Sequence, residues 1–169
     1  MKAVLFDAFG TLVEIMDKRN PFKRAGAGRE VMTQNTSLEC YTDDPAIHRD
    51  LVAELASIIV YDDVIPTLRR LRGQGIKIGI ASNLARPYGE EVMRMLGEHV
   101  DMLHYSFLEG RLKPDPHFFL SACRRLGFAP EEVTMIGDNY QNDFLGATHA
   151  GLNASMIVRR DGDGLDGLV

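Results

Sequence analysis

The sequence predicts an α/β fold: a parallel sheet covered on both faces by helices, with a small helical segment inserted behind its first strand. Three observations predict it. Apolar runs at residues 2–7, 76–81 and 133–137 are bounded by turn signals and read as buried strands. The segments between the later runs repeat their apolar residues at three and four positions, and strand–helix alternation of that kind builds a parallel sheet. The interval 14–61 alone breaks the alternation.

The first strand, Ala3-Val4-Leu5-Phe6, stops at Asp7. The interval that follows holds two helix-like stretches, residues 21–34 and 45–60, joined by the polar turn Thr42-Asp43-Asp44, and no strand-like run appears inside it. Val64, Leu68 and Leu71 then recur at helical spacing, and Gly73 and Gly75 close that helix. Residues 76–81 follow as the second strand. Residues 87–96 form a helix with Met93 and Leu96 turned inward and Gly97 as its stop, and residues 103–107 a short strand. Residues 116–126 form another helix, with Phe119, Leu120, Cys123 and Leu126 inward and Gly127 at its end. After the strand at 133–137 come a helix at 142–150, closed by Gly151, and a weaker strand at 154–158. The whole reads as a Rossmann-like three-layer α/β/α core, residues 1–14 and 62–169, with a reduced helical cap at 15–61 lying over the C-terminal end of the first strand. The Asp- and Gly-rich tail at 161–167 lacks the downstream glutamate of a calcium loop and reads as a flexible terminus.

A chain of 169 residues can enclose a core of its own. Its 45% hydrophobic and 25% charged residues are ordinary for a soluble domain. The net charge of −5 argues against a general nucleic-acid binder, since phosphate backbones attract basic surfaces. No apolar run approaches the length of a membrane span, and the run at 3–6 is too short for a signal-peptide core. A cytoplasmic protein without a membrane partner is therefore expected. Cys40 and Cys123 lie far apart with no metal-ligand spacing and read as buried free thiols.

Ligands of parallel sheets bind outside the carboxyl ends of the strands, so the polar residues there carry the argument. Strand one ends in Asp7, with Thr11 four residues on. The second ends in Ser82-Asn83, and the run at 133–137 leads into Asp138, with Asp143 beyond. Lys113 precedes a Pro-Asp-Pro turn that opens a helix. Two or three carboxylates at one sheet edge repel each other without a cation, and Mg²⁺ is the natural counter-ion. With a metal present, a phosphoryl group can bind opposite an aspartate, whose carboxylate can attack phosphorus. Lys113 would neutralise the added charge, and donors from Ser82 and Asn83 would hold the equatorial oxygens.

FDAFGTL, IASN, LKPDP and IGDNYQND resemble, in order and spacing, the four motifs of the haloacid dehalogenase superfamily. The resemblance covers the chain outside the helical insertion, which sits at the family's cap position and is shorter than the usual helical cap. It implies Asp7 as the nucleophile, with Lys113 beside it in the catalytic set. It implies metal ligation by Asp7, the main-chain carbonyl of Phe9 and Asp138, with Asp143 supporting the metal or its waters. Phosphate binding falls to Thr11, Ser82, Asn83 and Lys113. The implied activity is Mg²⁺-dependent hydrolysis of a small phosphorylated compound through an aspartyl-phosphate.

One position departs from the pattern. Phosphatases of the family carry a second aspartate, the acid/base, where this chain has Phe9. Losing a positioned acid/base costs on the order of 10²–10⁴ in rate. Halide-removing members have an aromatic residue there, so a 2-haloacid dehalogenase is an alternative reading. Against it, such enzymes need no metal, and Asp138 would repel their substrate's carboxylate. A catalytically weak relative that only binds is a third reading. Without an acid, a phosphatase should favour aryl or acyl phosphates, whose leaving groups depart unprotonated. His48, in the insertion, is the candidate replacement acid/base, set against an ordinary solvated or core histidine. The basic stretch Lys18, Arg19, Lys23, Arg24 and Arg29 reads first as a solvated face and second as an attractor of anions.

Overall fold

The computed structural model describes residues 1–169. In chain order the strands and helices are β1 (Ala3–Phe6), β2 (Val13–Ile15), α1 (Pro21–Arg24), α2 (Pro45–Ala56), β3 (Ile58–Val60), α3 (Val64–Gly73), β4 (Lys77–Ser82), α4 (Arg86–Leu96), β5 (Met102–Tyr105), α5 (Ser106–Glu109), α6 (Pro116–Leu126), β6 (Val133–Gly137), α7 (Gly146–His149) and β7 (Asn153–Met156). A π-helical turn, Tyr140–Leu145, leads into α7. No helix is long and apolar enough to cross a membrane.

The expected parallel sheet is present, in the order β5-β4-β1-β6-β7. β1 lies at its centre and is wholly buried, which explains its unbroken apolar run. Its side chains alternate between two cores. Val4 and Phe6 join Leu68, Leu71, Val92 and Leu96 on one face. Ala3 and Leu5 join Phe118, Phe119, Cys123 and Met135 on the other. Phe6 pairs with Ile80 of β4 and Ile136 of β6, so the three strands end within two residues of one another. That register brings the residues after each strand to one edge.

Local chemistry sets the helix ends. Asp115 caps α6 by accepting a hydrogen bond from the His117 amide at 2.9 Å, Pro116 fills the first helical position, and Gly127 ends the helix at φ 83°. The buried face of α6 is Phe118, Phe119, Ala122 and Cys123, with Leu120 and Leu126 only partly covered. In α4 the inward pair is Val92 and Leu96, four residues apart on one face, which turns the expected Met93 out to solvent.

The insertion departs most from expectation. The stretch at 21–34 is one turn of α-helix and a 3₁₀ turn, Arg29–Met32, separated at Gly26, whose φ is 75°. A second 3₁₀ turn, Leu38–Cys40, precedes α2. The stretch at 45–60 does not stay helical. Ile58, Ile59 and Val60 are three β-branched residues in a row and form β3, antiparallel to β2, with Val13 opposite Val60. The two short strands are the stem from which residues 21–56 project. Phe22, Val31, Leu38, Ile47 and Leu51 bury one another, with Ala85 joining from the start of α4.

Two smaller expectations are also corrected. Cys40 is exposed and only Cys123 is a buried thiol, both free. The tail does not swing loose: Leu165 is fully buried in the core, and its amide donates to the Asp63 carboxylate at 2.7 Å.

Candidate active site

Asp7 extends the central strand, and its amide still bonds to the Ile136 carbonyl at 2.9 Å. Its carboxylate is divided in use. Oδ1 accepts from the Ser82 hydroxyl at 2.7 Å and from Lys113 Nζ at 2.7 Å, while Oδ2 takes no hydrogen bond. One oxygen is therefore held and the other is free.

Lys113 is almost fully buried, and its ammonium donates to Asp7 Oδ1, to Asp143 Oδ1 at 2.6 Å and to the Ala81 carbonyl at 2.8 Å. Burial opposes its charge, but Asp7 and Asp143 outweigh that and hold its pKa above the ordinary lysine value. Asp143 is equally enclosed, and its second oxygen accepts from the Asn139 amide at 3.0 Å. With both oxygens taken, it supports the site from behind. The expected helix at 142–150 begins instead as the π-turn, capped by Asn139 through the Asn142 amide at 2.9 Å.

Asp138 contrasts with both. It is exposed at the cleft and has no lysine or arginine against it. Partial burial, with the charges of Asp7 and Asp143, pushes its pKa up to about 6. One carboxylate oxygen from each of Asp7, Asp138 and Asp143 lies within 4.8 Å of the others. The carbonyl of Phe9 accepts no backbone hydrogen bond. Hard oxygen donors carrying more negative charge than one lysine balances suit Mg²⁺. The groups placed to hold it are the Asp7 and Asp138 carboxylates and the Phe9 carbonyl. Two glycines make room for the carboxylates: a Cβ at Gly10, where φ is 74°, would collide with Asp138, and one at Gly137 would collide with Asp143.

Asp7, Phe9, Ser82, Asn83, Lys113, Asp138 and Asp143 therefore come together, around a cavity of about 150 Å³. Thr11 does not join them. It is fully buried, its hydroxyl has no partner, and it does not line the cavity. Its carbonyl instead accepts from Arg159 Nη2 at 2.6 Å, and Arg159 also pairs with Asp63 at 2.9 Å and lies over the Tyr61 ring. Arg159 thus braces the loop after Asp7, a function no motif signalled. The Asn83 side chain is a clamp: its Oδ1 accepts from the Lys113 amide at 2.9 Å and its Nδ2 donates to the Lys113 carbonyl at 3.0 Å. His48 lies outside this cavity, with its Nε2 2.8 Å from the Thr42 carbonyl.

A parallel sheet with an aspartate at the end of its central strand, a buried lysine and an acidic rim defines the class, and comparison with known proteins agrees. Residues 1–151 match the model of the haloacid dehalogenase-like hydrolases, and the chain belongs to that family. It is 36% identical, over 146 residues, to the glyceraldehyde 3-phosphate phosphatase of Methanopyrus kandleri, a match covering 82% of this chain and 56% of that one. The chain thus spans little more than half the length of that relative. It is 27% identical to a HAD phosphatase of Thermococcus onnurineus, with a TM-score of 0.73 over 97% of this chain and 89% of that one. At 16% identity it shares its fold with a HAD family enzyme of Bacteroides thetaiotaomicron, solved with magnesium and inorganic phosphate (TM-score 0.78, covering 99% and 98%).

The acidic rim makes a testable demand on pH. A carboxylate whose folded pKa exceeds its unfolded one binds its proton more tightly in the native state, so stability falls as pH rises through the interval between the two values. For Asp138 the folded value is about 6, against 3.8 for the free group. Above that interval a cation replaces the missing proton. Mg²⁺ is therefore expected to raise Tm more at pH 8 than at pH 5, measured against EDTA at each pH. Equal shifts at both pH values would refute the assignment of Asp138 to the metal.

Proposed function

We propose that the protein is a Mg²⁺-dependent phosphohydrolase that cleaves a small phosphorylated compound through an aspartyl-phosphate at Asp7. The observation that carries this reading is the divided carboxylate of Asp7, which lines the cavity with Oδ1 held by Ser82 and Lys113 and Oδ2 free of hydrogen bonds. Oδ2 attacks phosphorus, the ester oxygen leaves with its electron pair, and water later cleaves the aspartyl-phosphate to release phosphate and restore Asp7. Lys113 stays protonated throughout and offsets the charge that gathers beside Asp7. Asp7, Asp138 and the Phe9 carbonyl would hold Mg²⁺, which would neutralise the phosphoryl oxygens. Residues 15–61 act as a cap over this chemistry.

No free acid stands on the leaving-group side. Phe9 occupies the acid/base position, its ring edge-on to Tyr88 with centroids 6.0 Å apart. The one carboxylate lining the adjoining chamber, Glu54, already accepts from the Tyr88 hydroxyl at 2.6 Å, the Asn20 amide at 2.6 Å and the Arg19 amide. Rates should therefore fall steeply as the leaving group becomes more basic, with aryl and acyl phosphates turned over and simple alkyl phosphates not. The direct test is release of p-nitrophenol from its phosphate ester. Turnover is expected to need Mg²⁺ and to drop by at least about 10³-fold in Asp7→Asn. Turnover that persists in EDTA would sink the metal-assisted reading.

A further inference from the structure

We propose that the chamber under the insertion holds the leaving group of a phosphate ester whose organic part is an aromatic ring bearing a second negative charge at its far end. The proposal rests on the phosphohydrolase reading and names the substrate class of that site. The chamber, about 310 Å³, shares Phe9, Asn83 and Leu84 with the acidic cavity, so a group leaving phosphorus at Asp7 enters it directly. Its size falls at the lower end for small-molecule pockets, room for a ring and one substituent rather than a nucleotide.

The walls select for an apolar, flat occupant. Ile15, Phe22, Val31, Met32 and Tyr88 line them. The Tyr88 ring stands 6.0 Å from that of Phe9 and 6.1 Å from that of Phe22, an aromatic cluster suited to edge and offset contacts with another ring. A short hydroxylated leaving group would leave this surface wet.

The charges select for an anion. Three charged side chains line the chamber: Lys18, Lys23 and Glu54. Glu54 is consumed by its three donors. Neighbouring Arg19 and Arg24 are paired with Asp17 and Asp50, whereas neither lysine pairs with any carboxylate. Both lysines line the chamber and neither lines the acidic cavity, so an anion they hold lies apart from the phosphate site. A carboxylate or second phosphate on the ring would complete this arrangement.

Binding to the Asp7→Asn protein in Mg²⁺, measured by titration calorimetry, tests the proposal without turnover. The probes are 4-carboxyphenyl phosphate, its neutral isostere 4-carbamoylphenyl phosphate, and methyl phosphate. The carboxylate is expected to bind about fivefold to twentyfold tighter than the amide, the size set by two partly solvated charge contacts, and both tighter than methyl phosphate. That preference should disappear in Lys18→Ala/Lys23→Ala, whose exposed substitutions leave the melting curve in place, and should shrink as salt is raised. Equal affinity for carboxylate and amide would overturn the anionic end, and aryl esters binding no tighter than methyl phosphate would overturn the chamber itself. p-Nitrophenyl phosphate hydrolysis by the wild type separates the two readings: hydrolysis without the binding preference removes this proposal alone, and absent hydrolysis removes the phosphohydrolase reading while binding still reports on the chamber.

Discussion

Replacing Lys113 with alanine is expected to lower kcat/KM by about 10³-fold or more and to cost about 3–5 kcal/mol of stability in metal-free buffer, the penalty for stranding a buried charge. The two effects share one cause. Lys113 is the one cation touching both Asp7 and Asp143, and without it two enclosed carboxylates face each other. Urea unfolding in EDTA measures the stability loss. Lowering the pH should reduce it, because burial already raises the pKa of Asp143, which can then take up a proton. Lys113→Ala/Asp143→Asn should recover part of the stability, since one of the opposed charges is gone, but none of the activity. A Lys113→Ala protein within 1 kcal/mol of wild type (roughly the worth of an exposed pair) would show that the three groups do not act as a unit.

The second large effect is expected at Glu54, a residue outside every motif. Glu54→Ala should destabilise the protein by about 3 kcal/mol, because it deprives two backbone amides and one hydroxyl of their acceptor. Glu54 lies on α2 in the insertion and Tyr88 on α4 of the core, so their hydrogen bond is a latch between the two parts. The same carboxylate holds the amides of Arg19 and Asn20, where Asn20 adopts a left-handed φ of 54°. Glu54→Gln keeps an acceptor and should lose much less, while Tyr88→Phe removes the latch alone, at about 1 kcal/mol. Thermal melts of the three variants give the ranking. A Glu54→Ala loss no larger than that of Tyr88→Phe would mean that the backbone amides find other partners.

The core was legible because its strands are buried on both sides, so each appears as an apolar run that ends where the chemistry begins. Asp7, Ser82 and Asp138 follow such runs directly, and the register of β1 with β4 and β6 does the rest. The insertion was not legible, because its elements are too short for periodicity to identify. Ile58-Ile59-Val60 reads equally as a helix end until Val13 supplies a partner strand across the chain. The supporting residues escaped for a related reason. Arg159 acts on Thr11 from 148 positions away and Glu54 on Asn20 from 34, and no local pattern encodes such a meeting. Thr11 was misplaced because a position in a motif says nothing of which way its side chain turns. Asn83 was placed near phosphate, but its side chain holds the Lys113 peptide.

The position of β1 at the middle of the sheet also bears on when, during folding, the protein can first act. The strand that ends in Asp7 comes first in the chain, yet both of its neighbours come much later, and the Asp7–Lys113 pair closes a separation of 106 residues. Contacts of such long range form late and slowly, since the entropy of closing the loop comes before any reward from pairing. A partly folded chain therefore has Asp7 without its lysine and an acidic rim without its balance. The carboxylates and the lysine of the site meet only once β1 has joined both β4 and β6.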